Sequence, residues 1–153
     1  MYYKENQLIK VRTIMAMNPA CCTVDTKLVD VAQLMIDNKC GEIPVVNNHE
    51  EKRLVGVISD RDICYRAVAR SLNPAAMNAK DCMTAPAIAI GMDESIFDCL
   101  ELMDFQHCLR LPVVDERGCC CGMVSLADIN KKTNEISSTL KSRTDLLNVN
   151  ISN

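Results

Sequence analysis

Two serine–aspartate pairs carry the chemistry of this sequence: Ser59-x-x-Asp62 within GVISDRDI and Ser125-x-x-Asp128 within GMVSLADI. A carboxylate offers two acceptor oxygens and no donor. Each aspartate can therefore take both hydroxyls of a ribose, as acidic residues do in dinucleotide-binding folds. A serine hydroxyl can bond a phosphate oxygen or a ribose hydroxyl, and unpaired N–H groups at a helix start favour an anion. The same spacing also suits a capping box, in which the serine caps a helix and the acid reaches back. Recurrence at one place in two repeats favours a ligand role, although duplication copies capping boxes too. Arg61 lies inside the first pair, placed to meet a phosphate; the second pair has Ala127 there and Leu126 in place of Asp60.

The frame that positions these pairs is also written twice. EIPVV (Glu42–Val46) returns as RLPVV (Arg110–Val114) ahead of each glycine-initiated segment. Pro112 follows Pro44 by 112 − 44 = 68 positions and Met83 follows Met15 by 83 − 15 = 68, whereas Asp128 follows Asp62 by 128 − 62 = 66. The two lost positions fall in a hairpin turn, where length changes are tolerated. The first unit reads as a short strand at Cys22–Val24 and a helix capped by Asp25 or Thr26. Leu28, Val31, Leu34 and Met35 share one face of that helix, and Gly41 suits a left-handed end. Strands at Ile43–Val46 and Leu54–Ile58 form a hairpin, and a helix after Ser59 carries Ile63, Ala67 and Val68. Pro74 ends or interrupts that helix. The second unit repeats the plan: a strand at Ala87–Ile90, Asp93 as a cap, and Ile96, Cys99, Leu100 and Met103 as the buried stripe. A hairpin of Leu111–Val114 and Cys119–Val124 follows. A long helix after Ser125 presents Ile129, Ile136 and Leu140, and NVNISN reads as frayed.

The expected organisation is an N-terminal segment (1–10), a first repeat (11–70), a linker (71–78), a second repeat (79–133) and a C-terminal helix and tail (134–153). The fold class is α/β of the α+β kind. Two βαββα units pack through their sheets about a pseudo-two-fold axis, with helices outside.

Composition narrows the function classes. Aromatics are 3% with no Trp, so the core is aliphatic, Met and Cys. A net charge of −3 argues against a duplex-DNA footprint. No apolar run approaches the ~20 residues of a membrane span, and MYYKENQLIK has no signal-peptide stretch, so a soluble cytoplasmic protein is expected. Ten cysteines include no C-x-x-C pair, and only two histidines accompany them. Closely spaced zinc ligands are therefore absent from the pattern, and no metal site is expected. In a reducing cytoplasm such thiols act as small buried hydrophobes. Cys119–Cys121 differ, because strand alternation exposes at least one of them. There is no P-loop, no G-x-S-x-G elbow and no His beside a repeated acid, so no catalytic residue is assigned.

The order apolar helix, hhPVV, hairpin, GhhS-x-x-D and helix, present twice over about residues 11 to 133, resembles a tandem pair of CBS domains, the Bateman module. Its layout is similar to small stand-alone bacterial two-CBS proteins. The resemblance implies AMP, ADP, ATP or S-adenosylmethionine bound in the clefts between repeats, with no required cofactor, and a homodimer. It places Asp62 and Asp128 on ribose and Ser59 and Ser125 on ribose or phosphate. Ile43, Pro44, Leu111 and Pro112, with Glu42 and Arg110, would line the adenine and phosphate region. Thr23, Val24, Ile88 and Ile90 would add backbone contacts to the base. The residue before each PVV strand reverses polarity, Glu42 in the first repeat and Arg110 in the second, and Glu42 near a phosphate would repel it, so one competent site and one weaker or empty site are expected.

The reading that follows is a regulatory, non-enzymatic sensor of an adenosyl ligand, acting on a separate, unidentified protein partner. A ligand-free scaffold dimer and a cysteine-based redox sensor are the alternatives.

Overall fold

The computed structural model describes residues 9–151, with side chains as far as Thr139. Leu140, the side chains of NVNISN and residues 1–8 of the N-terminal segment lie outside that description. A 3-10 turn (Val11–Thr13) leads into β1 (Ala16–Met17), β2 (Cys22–Thr23), α1 (Leu28–Asp37), β3 (Glu42–Val46), β4 (Leu54–Ser59) and α2 (Asp60–Arg66). Two further 3-10 turns connect to α3 (Ala79–Cys82), β5 (Ile90–Gly91), α4 (Ile96–Gln106), β6 (Arg110–Val114), β7 (Cys120–Ser125) and α5 (Leu126–Ile151). The βαββα order thus occurs twice, in an α+β architecture.

One sheet runs β2-β3-β4 and the other β1-β7-β6-β5. In each, a short strand pairs parallel to the PVV strand and the hairpin is antiparallel. The hairpins share a register, with Glu42 opposite Ser59 and Arg110 opposite Ser125. Both also shift register within the PVV strand, at Val45/Val46 and Val113/Val114. Equivalent side chains therefore reach equivalent edges of the two sheets.

The entry segments are exchanged between the repeats. Val11 is fully buried, and it packs into the second core with Ile90, Ile96, Leu111 and Val124. Met77, Ala79 and Cys82 pack into the first core with Leu28, Val31, Ile43 and Ile58. β1 correspondingly pairs with β7, and Thr84 bridges to Val57 of β4. This crossing explains the glycine of each GhhS. A Cβ at Gly56 would sit 2.9 Å from the Thr84 carbonyl oxygen, and one at Gly122 would sit 2.6 Å from Met15 Sδ and 3.1 Å from the Ala16 oxygen.

Several ends differ from the local sequence signals. The residue before α1 is Lys27, with no side-chain cap, whereas the Thr26 hydroxyl accepts from the Thr23 N–H (2.9 Å). The left-handed residue after α1 is Lys39 (φ 50°) rather than Gly41. Gly41 instead makes room for Asp60, whose Oδ2 would lie 2.8 Å from a Cβ there. Ser95, not Asp93, caps α4, while Asp93 pairs with Arg12. The second short strand is Ile90–Gly91, not Ala87–Ile90. α2 ends at Arg66, Val68 is exposed, and Pro74 opens a 3-10 turn. The backbone of α5 stays helical through Ile151, past the start of NVNISN.

Candidate functional site

Each serine–aspartate pair sits where a strand hands over to a helix, and each forms a complete capping box. In the first repeat Asp62 Oδ2 accepts from the Ser59 N–H (2.9 Å) and from its hydroxyl (2.8 Å), while Ser59 Oγ accepts from the Asp62 N–H (3.1 Å). The second repeat matches it, with Asp128 Oδ2 accepting from the Ser125 N–H (2.9 Å) and hydroxyl (2.5 Å). Ser95 and Asp98 build the same box at α4, away from both clefts. The box is therefore a folding device of this chain, and it occupies one oxygen of each aspartate.

The other oxygen distinguishes the repeats. Asp62 Oδ1 lies 3.5 Å from the Arg66 guanidinium. Arg66 also donates to the Cys82 carbonyl (2.7 Å), the Met83 carbonyl (2.5 Å) and the Thr84 hydroxyl (3.1 Å), so it ties Asp62 to the crossing segment of the second repeat. The counterpart of Arg66 is Lys132 (132 − 66 = 66), which pairs with Glu135 (3.8 Å) instead. Among the described residues, no hydrogen bond or ion pair engages Asp128 Oδ1.

Two clefts open beside these pairs. The smaller, about 400 Å³, is lined by Met123, Val124, Ser125 and Asp128, by Ala16–Ala20, and by Asn38, Cys40, Glu42 and Arg110. The larger, about 830 Å³, is lined by Ser59, Asp60, Arg61, Asp62 and Gly41, by His107–Arg110, and by Ser125–Ala127 and Asn130. Both volumes fall in the range of small-molecule sites, ~300–1,000 Å³.

Glu42 and Arg110 line both clefts. Burial pushes the Glu42 carboxyl up to about 7; Arg110 opposes the shift, and Asp62 and Asp60 add to it. The carboxylate thus sits where its charge is poorly solvated and met by two like charges. Arg110 and Arg61 are both exposed, placing cations at the cleft mouths.

Of the residues expected at a site, Ser125, Asp128 and Arg110 meet in the smaller cleft, and Ser59, Arg61, Asp62, Arg110 and Ser125 in the larger. Ile43, Pro44, Leu111 and Pro112 are buried and line neither cleft. Thr23, Val24, Ile88 and Ile90 also lie outside both linings. Thr23 pairs with Val46, Val24 receives the Lys80 N–H (3.0 Å), and Ile90 belongs to the second core. The wall of the smaller cleft lies upstream, at Met17–Ala20. Its sequence signal is the recurrence of Met15 and Met83, each followed within four positions by a proline, Pro19 and Pro86. His107 and Cys108 entered the larger cleft without any motif to announce them.

Comparison with known proteins agrees with this architecture. The CBS-domain family model matches residues 11–68 and 79–134. An uncharacterized protein of Bacillus subtilis is 32% identical over 130 residues, covering 84% of this chain and 86% of that one. An uncharacterized protein of Methanopyrus kandleri is 32% identical over 101 residues, 66% of this chain; the match spans half of that relative's length. Among solved structures, CBSX2 of Arabidopsis thaliana in complex with AMP superposes with a TM-score of 0.71 at 22% identity, over 84% of this chain and 98% of that one. The CBS domain pair of protein MJ0100, in complex with 5′-methylthioadenosine and S-adenosyl-L-methionine, gives 0.72 at 24% identity, over 82% and 96%. At these identities the likeness is one of fold. Among the described residues, no helix is long and apolar enough to cross a membrane.

Proposed function

We propose a function from one premise: the chain belongs to the CBS-domain family, as a tandem pair of CBS domains. In our reading it is a regulatory module that binds an adenosyl ligand (AMP, ADP, ATP or S-adenosylmethionine) in the smaller cleft. The observation that carries this is Asp128 Oδ1, which no hydrogen bond or ion pair engages among the described residues, on an aspartate that lines a cleft of about 400 Å³ together with the Met17–Ala20 segment. That oxygen accepts a ribose hydroxyl, the segment's backbone and Met17 side chain meet the base, and Arg110 meets phosphate or carboxylate. The larger cleft is the weaker site, because Arg66 already engages Asp62 and because Asp60, which lines that cleft and not the smaller one, repels an anion. The solved CBS pairs with AMP, or with 5′-methylthioadenosine and S-adenosyl-L-methionine, support the ligand class. The module acts as a homodimer on a partner protein. Its switch is the differential affinity of the ligand for two relative arrangements of the repeats.

Calorimetric titration with the four ligands tests this, using wild type, Asp128→Asn and Asp62→Asn. Asparagine keeps one acceptor for the capping box. Saturable binding that weakens ~10-fold or more in Asp128→Asn and less than ~3-fold in Asp62→Asn is the expected result, the size of one charged hydrogen bond. Absence of binding by all four ligands to the folded wild type would refute the reading.

A further inference from the structure

Three charged residues line the smaller cleft: Glu42, Arg110 and Asp128. Its lining holds no lysine and no second arginine. Asp128 is the ribose acceptor in the reading above, which leaves Glu42 and Arg110 to meet the rest of an adenosyl ligand. The two stand at the same place in their repeats, first in β3 and first in β6, opposite Ser59 and Ser125. Among the described residues, no ion pair and no side-chain hydrogen bond engages either of them. One carboxylate and one guanidinium, neither committed to a partner, therefore share the cleft.

That charge set separates the possible 5′ substituents. A phosphate monoester carries about −1.5 to −2 charge at neutral pH. Here it would meet a single cation and two acids. Glu42 is half-buried, and burial already penalises its charged form, so an anion beside it adds to that cost. A cation does the reverse, because it gives a poorly solvated carboxylate an opposite charge at short range. A methionyl chain on a 5′ sulfonium brings a positive sulfur, an ammonium and a carboxylate. Glu42 suits the cationic groups. Arg110 suits the carboxylate, which a guanidinium takes with two parallel N–H donors.

We infer that the smaller cleft selects an adenosyl ligand whose 5′ substituent is a sulfonium-linked amino acid, S-adenosylmethionine, over the phosphorylated AMP, ADP and ATP, and that Glu42 sets this choice. The inference rests on the reading of that cleft as an adenosyl site and narrows it. The first repeat supplies the selecting acid, and the second supplies the ribose acceptor and the guanidinium. Selection therefore depends on the two repeats standing in their observed arrangement, which is the arrangement the ligand stabilises.

The test is calorimetric titration of the full chain with S-adenosylmethionine, AMP and 5′-methylthioadenosine, which carries neither charge. Wild type and Glu42→Gln are compared at pH ~7.5, above the Glu42 value of about 7. Wild type should bind S-adenosylmethionine at least ~10-fold more tightly than AMP, the size of one charge-assisted contact. Glu42→Gln should weaken S-adenosylmethionine ~10-fold, tighten AMP and leave 5′-methylthioadenosine within ~2-fold. Asp128→Asn should weaken all three, which assigns the heat to the smaller cleft. AMP binding wild type more tightly than S-adenosylmethionine overturns the inference and leaves the adenosyl reading standing. So does a ratio of the two affinities that Glu42→Gln leaves unchanged. Absence of binding by all three removes the adenosyl reading, and the inference with it.

Discussion

Replacing Glu42 by Gln tests how the centre of the molecule is charged. The Glu42 carboxyl rises from 4.5 to about 7, first through burial and then through Asp62 and Asp60, with Arg110 pulling the other way. Between those values the folded state holds a proton that the unfolded state has lost. Stability therefore falls as pH rises through this window, and the full cost is present above pH ~7. Holding the carboxyl at about 7 rather than at its ordinary value is a penalty of about 3 kcal/mol in the alkaline limit, at ~1.4 kcal/mol for each tenfold change in proton affinity. Gln resembles the protonated acid and escapes it. The variant should match wild type near pH ~4, exceed it by about 1 kcal/mol at pH ~5.5, and exceed it by about 3 kcal/mol at pH ~8.5. Urea unfolding across that range, at fixed ionic strength, measures the gap. A gap independent of pH, or one that shrinks toward alkaline pH, would refute the reasoning, since Glu42 would then be a solvated or salt-bridged carboxylate.

An anionic ligand in the adjoining clefts should raise the Glu42 carboxyl further, so binding at pH ~7.5 should take up a fraction of a proton; calorimetry in buffers of different ionisation enthalpy reads it, and Glu42→Gln should abolish it. Gly122→Ala should destabilise by roughly 1–3 kcal/mol, because the new Cβ meets Met15 Sδ and the Ala16 carbonyl of the crossing segment; urea midpoints check this, and a change below ~0.5 kcal/mol would show that the segment yields freely. Arg66→Met should cost roughly 1–3 kcal/mol, since it leaves the Cys82 and Met83 carbonyls without their guanidinium donor. Faster amide exchange confined to residues near 82–84 would mark the loss at that crossing.

The elements themselves were legible because their signals are local. Periodic Leu28, Val31 and Met35 define α1, alternation and the PVV runs define the strands, and Ser-x-x-Asp marks the starts of α2 and α5. The exchange of entry segments was not legible. Nothing in the neighbourhood of Val11 says that it belongs with Val124, over a hundred positions away, rather than with its own repeat. Helix ends were misplaced where a neighbouring contact overrode propensity, as at Gly41, which is small to admit Asp60 rather than to turn the chain. At the site, the aspartates were visible as a motif, but the partner of their second oxygen was not. That partner depends on Arg66 reaching three groups of the other repeat while Lys132 does not. The Met17–Ala20 wall was missed because it precedes Cys22–Val24, the first strand that the sequence signals, and β1, which opens it, is set only by its pairing with β7.

The most direct measurement of the central claim, that Asp128 Oδ1 holds a ribose, is a double-mutant comparison of ligand and protein. AMP and 2′-deoxy-AMP are titrated into wild type and Asp128→Asn by calorimetry. Wild type should prefer AMP by ~10-fold, the value of one hydrogen bond to a charged acceptor, and the variant should lose most of that preference. An equal preference in both proteins would contradict the account, because the 2′-hydroxyl would then be held by something other than Asp128.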